Sequence, residues 1–278
     1  MVKKLFFLLF LSTATVISFA QTTTKSSPEK SKDVKKQERK DRINKQIKME
    51  EEGALVYSKQ SAFGFKFNTD GWGLSYEHGK YKTITQTNLW WLEMGERKSP
   101  KEEKVSTGQD LGNGFILLGN PYIFGKRNNF YFLKAGLGQQ KLIGGKGNKN
   151  GVAVSAIYGG GLSLGYLKPY YISVSDAVTN YVSDIKYSDS TAQQFLDPNL
   201  INGGSGFTKG FTEGTFVPGA FGKLSLRFDY GRYNELLSAI EVGVNAEYYS
   251  KKMPIMINNP EKQFFFNAFV AFEFGKRK

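Results

Sequence analysis

Lys223-Leu-Ser-Leu-Arg-Phe-Asp-Tyr230 alternates without a break, and Ile240-Glu-Val-Gly-Val-Asn-Ala-Glu-Tyr248 does the same after a turn at 231–235. One face holds Leu224, Leu226, Phe228, Tyr230, Ile240, Val242, Val244, Ala246 and Tyr248. The other holds Lys223, Ser225, Arg227, Asp229, Glu241, Gly243, Asn245 and Glu247. Successive side chains of a strand point to opposite sides, so a period of two predicts a pair of antiparallel β-strands. A soluble β-sandwich or lipocalin-like barrel also alternates, but turns its apolar face inward. A polar face this rich in charge and crowded with Gly and Ser suits a narrow lumen, and the apolar face then meets lipid.

The same pattern continues in both directions. Phe63, Phe65 and Phe67 oppose Gly64 and Lys66; Thr69-Asp70-Gly71 turns the chain, as Asp-Gly between alternating runs does in hairpins. The return strand sets Trp72, Leu74, Tyr76 and His78 against Gly73, Ser75 and Glu77. Further strands are predicted over 85–95, 114–124, 130–142, 152–166, 170–175, 217–230, 236–249 and 263–274. The fourth, 114–124, is the least regular, because Pro121 cannot donate to a ladder. The expectation is an all-β, antiparallel up-and-down transmembrane β-barrel over 53–278, with about 10 strands, or eight if the fourth or seventh is not part of it. Short turns near Gly79, 125–129, 167–169 and 231–235 are expected at the same end as both termini, with the longer loops opposite.

On this reading Lys66, Glu77, Glu93, Lys134, Lys223, Arg227, Asp229, Glu241, Glu247 and Glu273 point into the lumen. Mixed charge in so narrow a space should pair into a plug, since an unpaired buried charge is costly. A wide diffusion pore is disfavoured; a narrow or gated conduit for small solutes or ions is the rival reading.

The N-terminus points to export. Met1-Val2-Lys3-Lys4 is basic, Leu5 to Leu11 is apolar, and Ser18-Phe19-Ala20 carries small residues where a signal peptidase reads, which predicts a signal peptide over 1–20. Residues 21–52 are polar and then almost wholly charged, with Ile43 and Ile47 the core of one narrow apolar stripe. This segment is expected to be a periplasmic tether, disordered or helical, that reaches a periplasmic or outer-membrane protein partner. The chain has no cysteine, hence no disulfide, thiolate site or lipidation site. Its net charge of +13 would raise nucleic-acid binding in a cytoplasmic protein. Export argues against nucleic acid and toward outer membrane lipids and the phosphates of lipopolysaccharide, with Lys146, Lys149, Lys251 and Lys252 the candidate contacts.

Three stretches carry a likeness: Gly64-Phe-Lys-Phe-Asn-Thr-Asp-Gly-Trp-Gly-Leu-Ser-Tyr-Glu, Glu96-Arg-Lys-Ser-Pro-Lys-Glu-Glu-Lys, and Gly136-Leu-Gly-Gln-Gln-Lys-Leu-Ile-Gly-Gly-Lys-Gly-Asn-Lys-Asn-Gly. With them the chain resembles uncharacterised outer-membrane β-barrel proteins of the Bacteroidota. The resemblance implies a fold and an outer membrane location, and no activity.

No catalytic set emerges. His78 is the only histidine and lies on the outward face beside the aromatic residues, while the adjoining Glu77 points inward. Omptin proteases and lipid A deacylases need a histidine with partners, and none can be placed. The glycines and lysines of 144–151 lack the Gly-Lys-Ser/Thr that opens a helix in a phosphate loop. Asp176, Asp184, Asp189, Asp197 and Asn199 lack the spacing of a calcium loop. No catalytic residue, cofactor or metal is therefore expected, and the chain reads as a non-enzymatic structural or accessory barrel.

Overall fold

The computed structural model describes residues 57–83, 85–110, 116–147, 151–176, 181–231 and 235–278, together with Gln37, Lys40 and Asp41, which are helical. The expected signal peptide and, apart from those three positions, the expected tether lie outside the described residues.

In chain order the strands are β1 (Lys59–Asn68), β2 (Gly71–Thr83), β3 (Gln86–Arg97), β4 (Lys104–Val105), β5 (Gly108–Asp110), β6 (Ile116–Leu118), β7 (Tyr122–Ile123), β8 (Asn128–Gly144) and β9 (Ala153–Pro169). They continue with β10 (Tyr171–Ser175), β11 (Val182–Lys186), the one-turn helix α1 (Ala192–Phe195), β12 (Ile201–Gly204), β13 (Thr215–Asp229), β14 (Leu236–Met253) and β15 (Lys262–Arg277). Eight of them close an antiparallel barrel in the order β1-β15-β14-β13-β9-β8-β3-β2. Its last seam pairs the chain ends, with Gln60 opposite Arg277 and Asn68 opposite Phe269.

The strand count is thus eight, the smaller of the two expected. Neither the fourth nor the seventh expected strand joins the barrel. Around Pro121 the chain makes only the short pieces β6 and β7, paired with β5 and β4. β9 runs on to Pro169, and β10 then leaves the wall to pair with β11 and β12.

Removing those two strands also corrects the expected sides of several turns. Gly79 lies inside β2. Residues 125–129 and 167–169 lie at the end opposite the termini, while the glycine-lysine loop after β8 lies at the end that holds them. The Asp70 turn is short yet shares its end with the long connections 98–127 and 170–214.

Those long connections form a cap with a core of its own. Tyr122, Ile172, Val174, Phe195 and Ile201 are buried together, with Tyr170, Ile185 and Ile257 against them. Backbone bonds join the parts: Gly119 N–H to the Thr107 carbonyl (2.8 Å), Gly204 N–H to the Asn120 carbonyl (3.1 Å) and Ile257 N–H to the Gly125 carbonyl (2.9 Å). Burying five such side chains favours the capped arrangement by roughly 1.5–3 kcal/mol each.

The burial pattern inverts that of a soluble protein. Leu162 is 74 % exposed and Leu137 72 %, whereas Lys134 and Glu241 are 0 % exposed. Phe63, Phe65, Phe67, Trp90, Leu92, Leu224 and Phe266 likewise face outward. An apolar exterior over a polar interior is the arrangement of a barrel that crosses a bilayer by strands, and the wall and lumen are those of an outer-membrane β-barrel.

Candidate functional site

The lumen is where the chemistry of this chain is concentrated, and strand register builds it. Arg227 on β13 sits opposite Glu241 on β14, and Glu93 on β3 opposite Lys134 on β8. Alternation sends each pair inward, so neighbours in the ladder become ion pairs.

All ten residues expected in the lumen are buried there, and most join three runs of contacts. At the loop end Asp70 and Glu247 both bind Arg97, and Glu247 also takes Lys134 Nζ at 2.6 Å. Glu93 then bridges Lys134 (3.3 Å) and Lys66 (2.6 Å). In the middle, Glu241 bridges Lys223 (2.7 Å) and Arg227 (2.6 Å). Arg227 grips Glu77 with both terminal nitrogens at 2.7 Å. Gln60 donates to Glu77 at 3.1 Å and to Gln140 at 2.9 Å, and Gln140 donates to Ser155 at 3.1 Å. Near the termini Asp229 takes Arg277 at 2.5 Å and Lys146 at 3.2 Å. Glu273 accepts a 3.3 Å bond from Ser75.

Apolar groups fill the space between these runs. Trp91 packs with Leu89, Ile157 and Phe221 at mid-lumen, and Lys223 Nζ lies 4.9 Å from its ring. Gly136 and Gly159 make that ring possible: a Cβ at either would come within 2.6 Å and 2.8 Å of Trp91. Phe130, Phe132, Tyr249 and Met253 close the loop end. Side chains therefore occupy the interior, as eight strands dictate.

Sequence reasoning missed several members. Arg97 continues the inward series Trp91, Glu93, Gly95, and Arg277 continues Glu273, Gly275, so extending the third expected strand by two residues and the last by three would have found both. Gln60 precedes Ala62 and Gly64 in the same way. Lys146 follows the end of β8, and alternation gives no signal for it.

The surface lysines divide. Lys146 is buried, with Nζ on Asp229 and, at 2.5 Å, on the Gly231 carbonyl, so its expected lipopolysaccharide contact is overturned: the buried carboxylate claims it. Lys149 lies outside the described residues. Lys251 and Lys252 are exposed at the loop end of β14.

His78 faces outward as expected, with its ring 5.8 Å from that of Trp90. The structure adds Ser61, whose hydroxyl lies 2.9 Å from His78 Nδ1. Among the described contacts no carboxylate joins the pair.

In the cap, Asp184 accepts bonds from Lys209, from Ser173 (2.5 Å) and from Ser205 (2.9 Å). The Lys209 ammonium and the two hydroxyls hold its carboxyl down at about 2. Asp197 accepts from the Asn199 backbone at 3.0 Å, closing a turn.

No family model and no curated protein matches this sequence. Several solved structures do. The N-terminal β-barrel domain of Pseudomonas aeruginosa OprF shares 9 % identity over 78 % of this chain and 96 % of that one, with a TM-score of 0.31. The attachment invasion locus protein Ail of Yersinia pestis shares 7 % over 80 % of this chain and all of its own (100 %), with a TM-score of 0.33. A major outer membrane protein from Thermus thermophilus shares 11 % over 77 % of this chain and 98 % of that one, with a TM-score of 0.36.

Proposed function

We propose that this chain is a non-enzymatic outer-membrane barrel of the Bacteroidota type, a structural or accessory component that works through its surfaces rather than through its lumen. The observation that carries the reading is the filled interior. Asp70, Arg97, Glu247, Lys134, Glu93 and Lys66 hold one another in an unbroken run, and Trp91 fills the space below. A conduit would need a continuous wet path with polar groups left open to a passing solute. Here those groups bond to each other instead.

Such a barrel acts by what it presents on either side of the membrane. Residues 21–52 are the tether for a periplasmic or outer-membrane partner. At the loop end, Lys251 and Lys252 are the remaining expected contacts for lipopolysaccharide phosphates.

Mild detergent extraction and affinity purification of the full chain, beside a version lacking 22–52, tests the accessory role. Both versions should insert, and the full chain alone should bring down a defined partner. Recovery of the same proteins with both versions, or of none, would remove the tether from the account.

A further inference from the structure

A groove of about 1080 Å³ lies on the outside of the barrel at its loop end. Its floor is wall: Leu74, Met94, Leu133 and Leu164 from four consecutive strands of the barrel. Its roof is a stretch of the connection before β13, whose Phe211 ring lies 6.5 Å from Tyr131 and 6.4 Å from Tyr166. The Tyr166 hydroxyl donates to the Phe211 carbonyl and fixes the roof to the wall.

One cation stands out where roof meets wall. Lys168 is only 3 % exposed, yet among the described residues no carboxylate lies within ion-pair distance of it. Its ammonium donates to the Phe207 carbonyl and lies 4.5 Å from the rings of both Phe207 and Phe211. Of the two carboxylates that line the groove, Glu102 is taken by Lys126 at 2.7 Å and Glu96 lies 3.9 Å from Lys98. The exposed Lys98 and Lys104 line the same groove. A buried ammonium with a carbonyl and two rings for partners has donors to spare and favours an anion beside it. The apolar floor continues the surface that faces the bilayer, where acyl chains are the available occupants.

We propose that this groove binds one phosphate-bearing membrane lipid, its acyl chains along Leu74, Met94, Leu133 and Leu164 and its phosphate at Lys168. Lys98 and Lys104 meet the remaining headgroup charge. The site rests on the reading that the wall faces lipid. It differs from the surface contacts at Lys251 and Lys252, because here chain and headgroup are held together.

Native mass spectrometry on residues 21–278 in detergent tests it, with phosphatidylglycerol against a diacylglycerol of the same chains. One phosphatidylglycerol should stay bound per barrel under activation that strips the diacylglycerol. Lys168→Met, which keeps the volume and removes the charge, should weaken retention about ten-fold, the scale of one charge-assisted hydrogen bond. Leu133→Trp, which fills the floor and leaves every cation in place, should weaken it comparably. Equal retention of the two lipids, or retention by Lys168→Met equal to the parent, overturns the site. So does displacement by millimolar inorganic phosphate, which would mark an anion site with no use for the floor. A heat-modifiable shift on gels identifies folded variants, and Lys168→Gln replaces Lys168→Met if that barrel does not form. Failure of the parent to insert into vesicles would strike the membrane reading itself and not the groove alone.

Discussion

Arg227 shows what a lumen position demands. Its guanidinium meets Glu77 through two parallel bonds and Glu241 through a third and fourth contact, all fully buried. Removing it leaves Glu77 without a cation in a site closed to water, and Glu241 with Lys223 alone. Arg227→Ala should therefore cost about 3–5 kcal/mol, whereas replacing Arg227 and Glu77 together by Met and Gln, which leaves Glu241 with Lys223, should cost much less, since buried pairs barely repay their desolvation. Urea unfolding of the barrel in detergent reads both; equal losses would show that the ion pairs are not what the single variant breaks. At this scale the lumen was legible in the sequence. Alternation named ten inward charges, and all ten are buried. Residues at strand ends were not, because Arg97 and Arg277 stand among charged neighbours that read as loop. Lys146 was misread for a different reason: a lysine among glycines looks solvated until Asp229, 83 residues away, is brought to it.

At the scale of elements, local pattern predicts strands better than it predicts their partners. The eight barrel strands all coincide with expected ones. Ile172 and Val174 alternate as a wall strand would, but their face packs on Phe195 and Ile201 in the cap and not on the bilayer. Nothing local separates the two fates; only the closure of eight strands without β10 does. Since each strand omitted reverses the direction of those after it, two errors left the later strands correct and displaced only the connections between them. The cap is a separate packing unit, and its core should melt independently. Phe195→Ala should remove about 3–5 kcal/mol from it. Hydrogen exchange should then show faster exchange over β10, β11 and β12, with β8, β9, β13 and β14 protected as before. Loss of protection in the wall would mean that cap and barrel fold as one.

For the whole molecule, one inversion explains most of what is seen. An apolar exterior satisfies the lipid, closure satisfies every strand edge, and the interior must then accommodate charge by pairing it. With eight strands there is little room left after the side chains are placed, and Trp91, seated over Gly136 and Gly159, takes the centre. The same inversion makes the outer wall the natural place for a bound lipid and the termini the natural place for a partner. That export, inward charge and outward aromatics belong together was readable from composition and alternation. The roofed groove was not, because Lys168 and Phe207 meet only once the connection before β13 folds back on the wall.

The central claim is that the lumen is closed by its own ion pairs, and planar-bilayer recording of the purified barrel tests it most directly. The account predicts insertion, shown by a heat-modifiable band from the same preparation, with no steady conductance above the bare bilayer. Reproducible unitary openings from pure protein would contradict it and make the barrel a narrow channel whose Arg97–Glu247–Lys134–Glu93 run opens and closes.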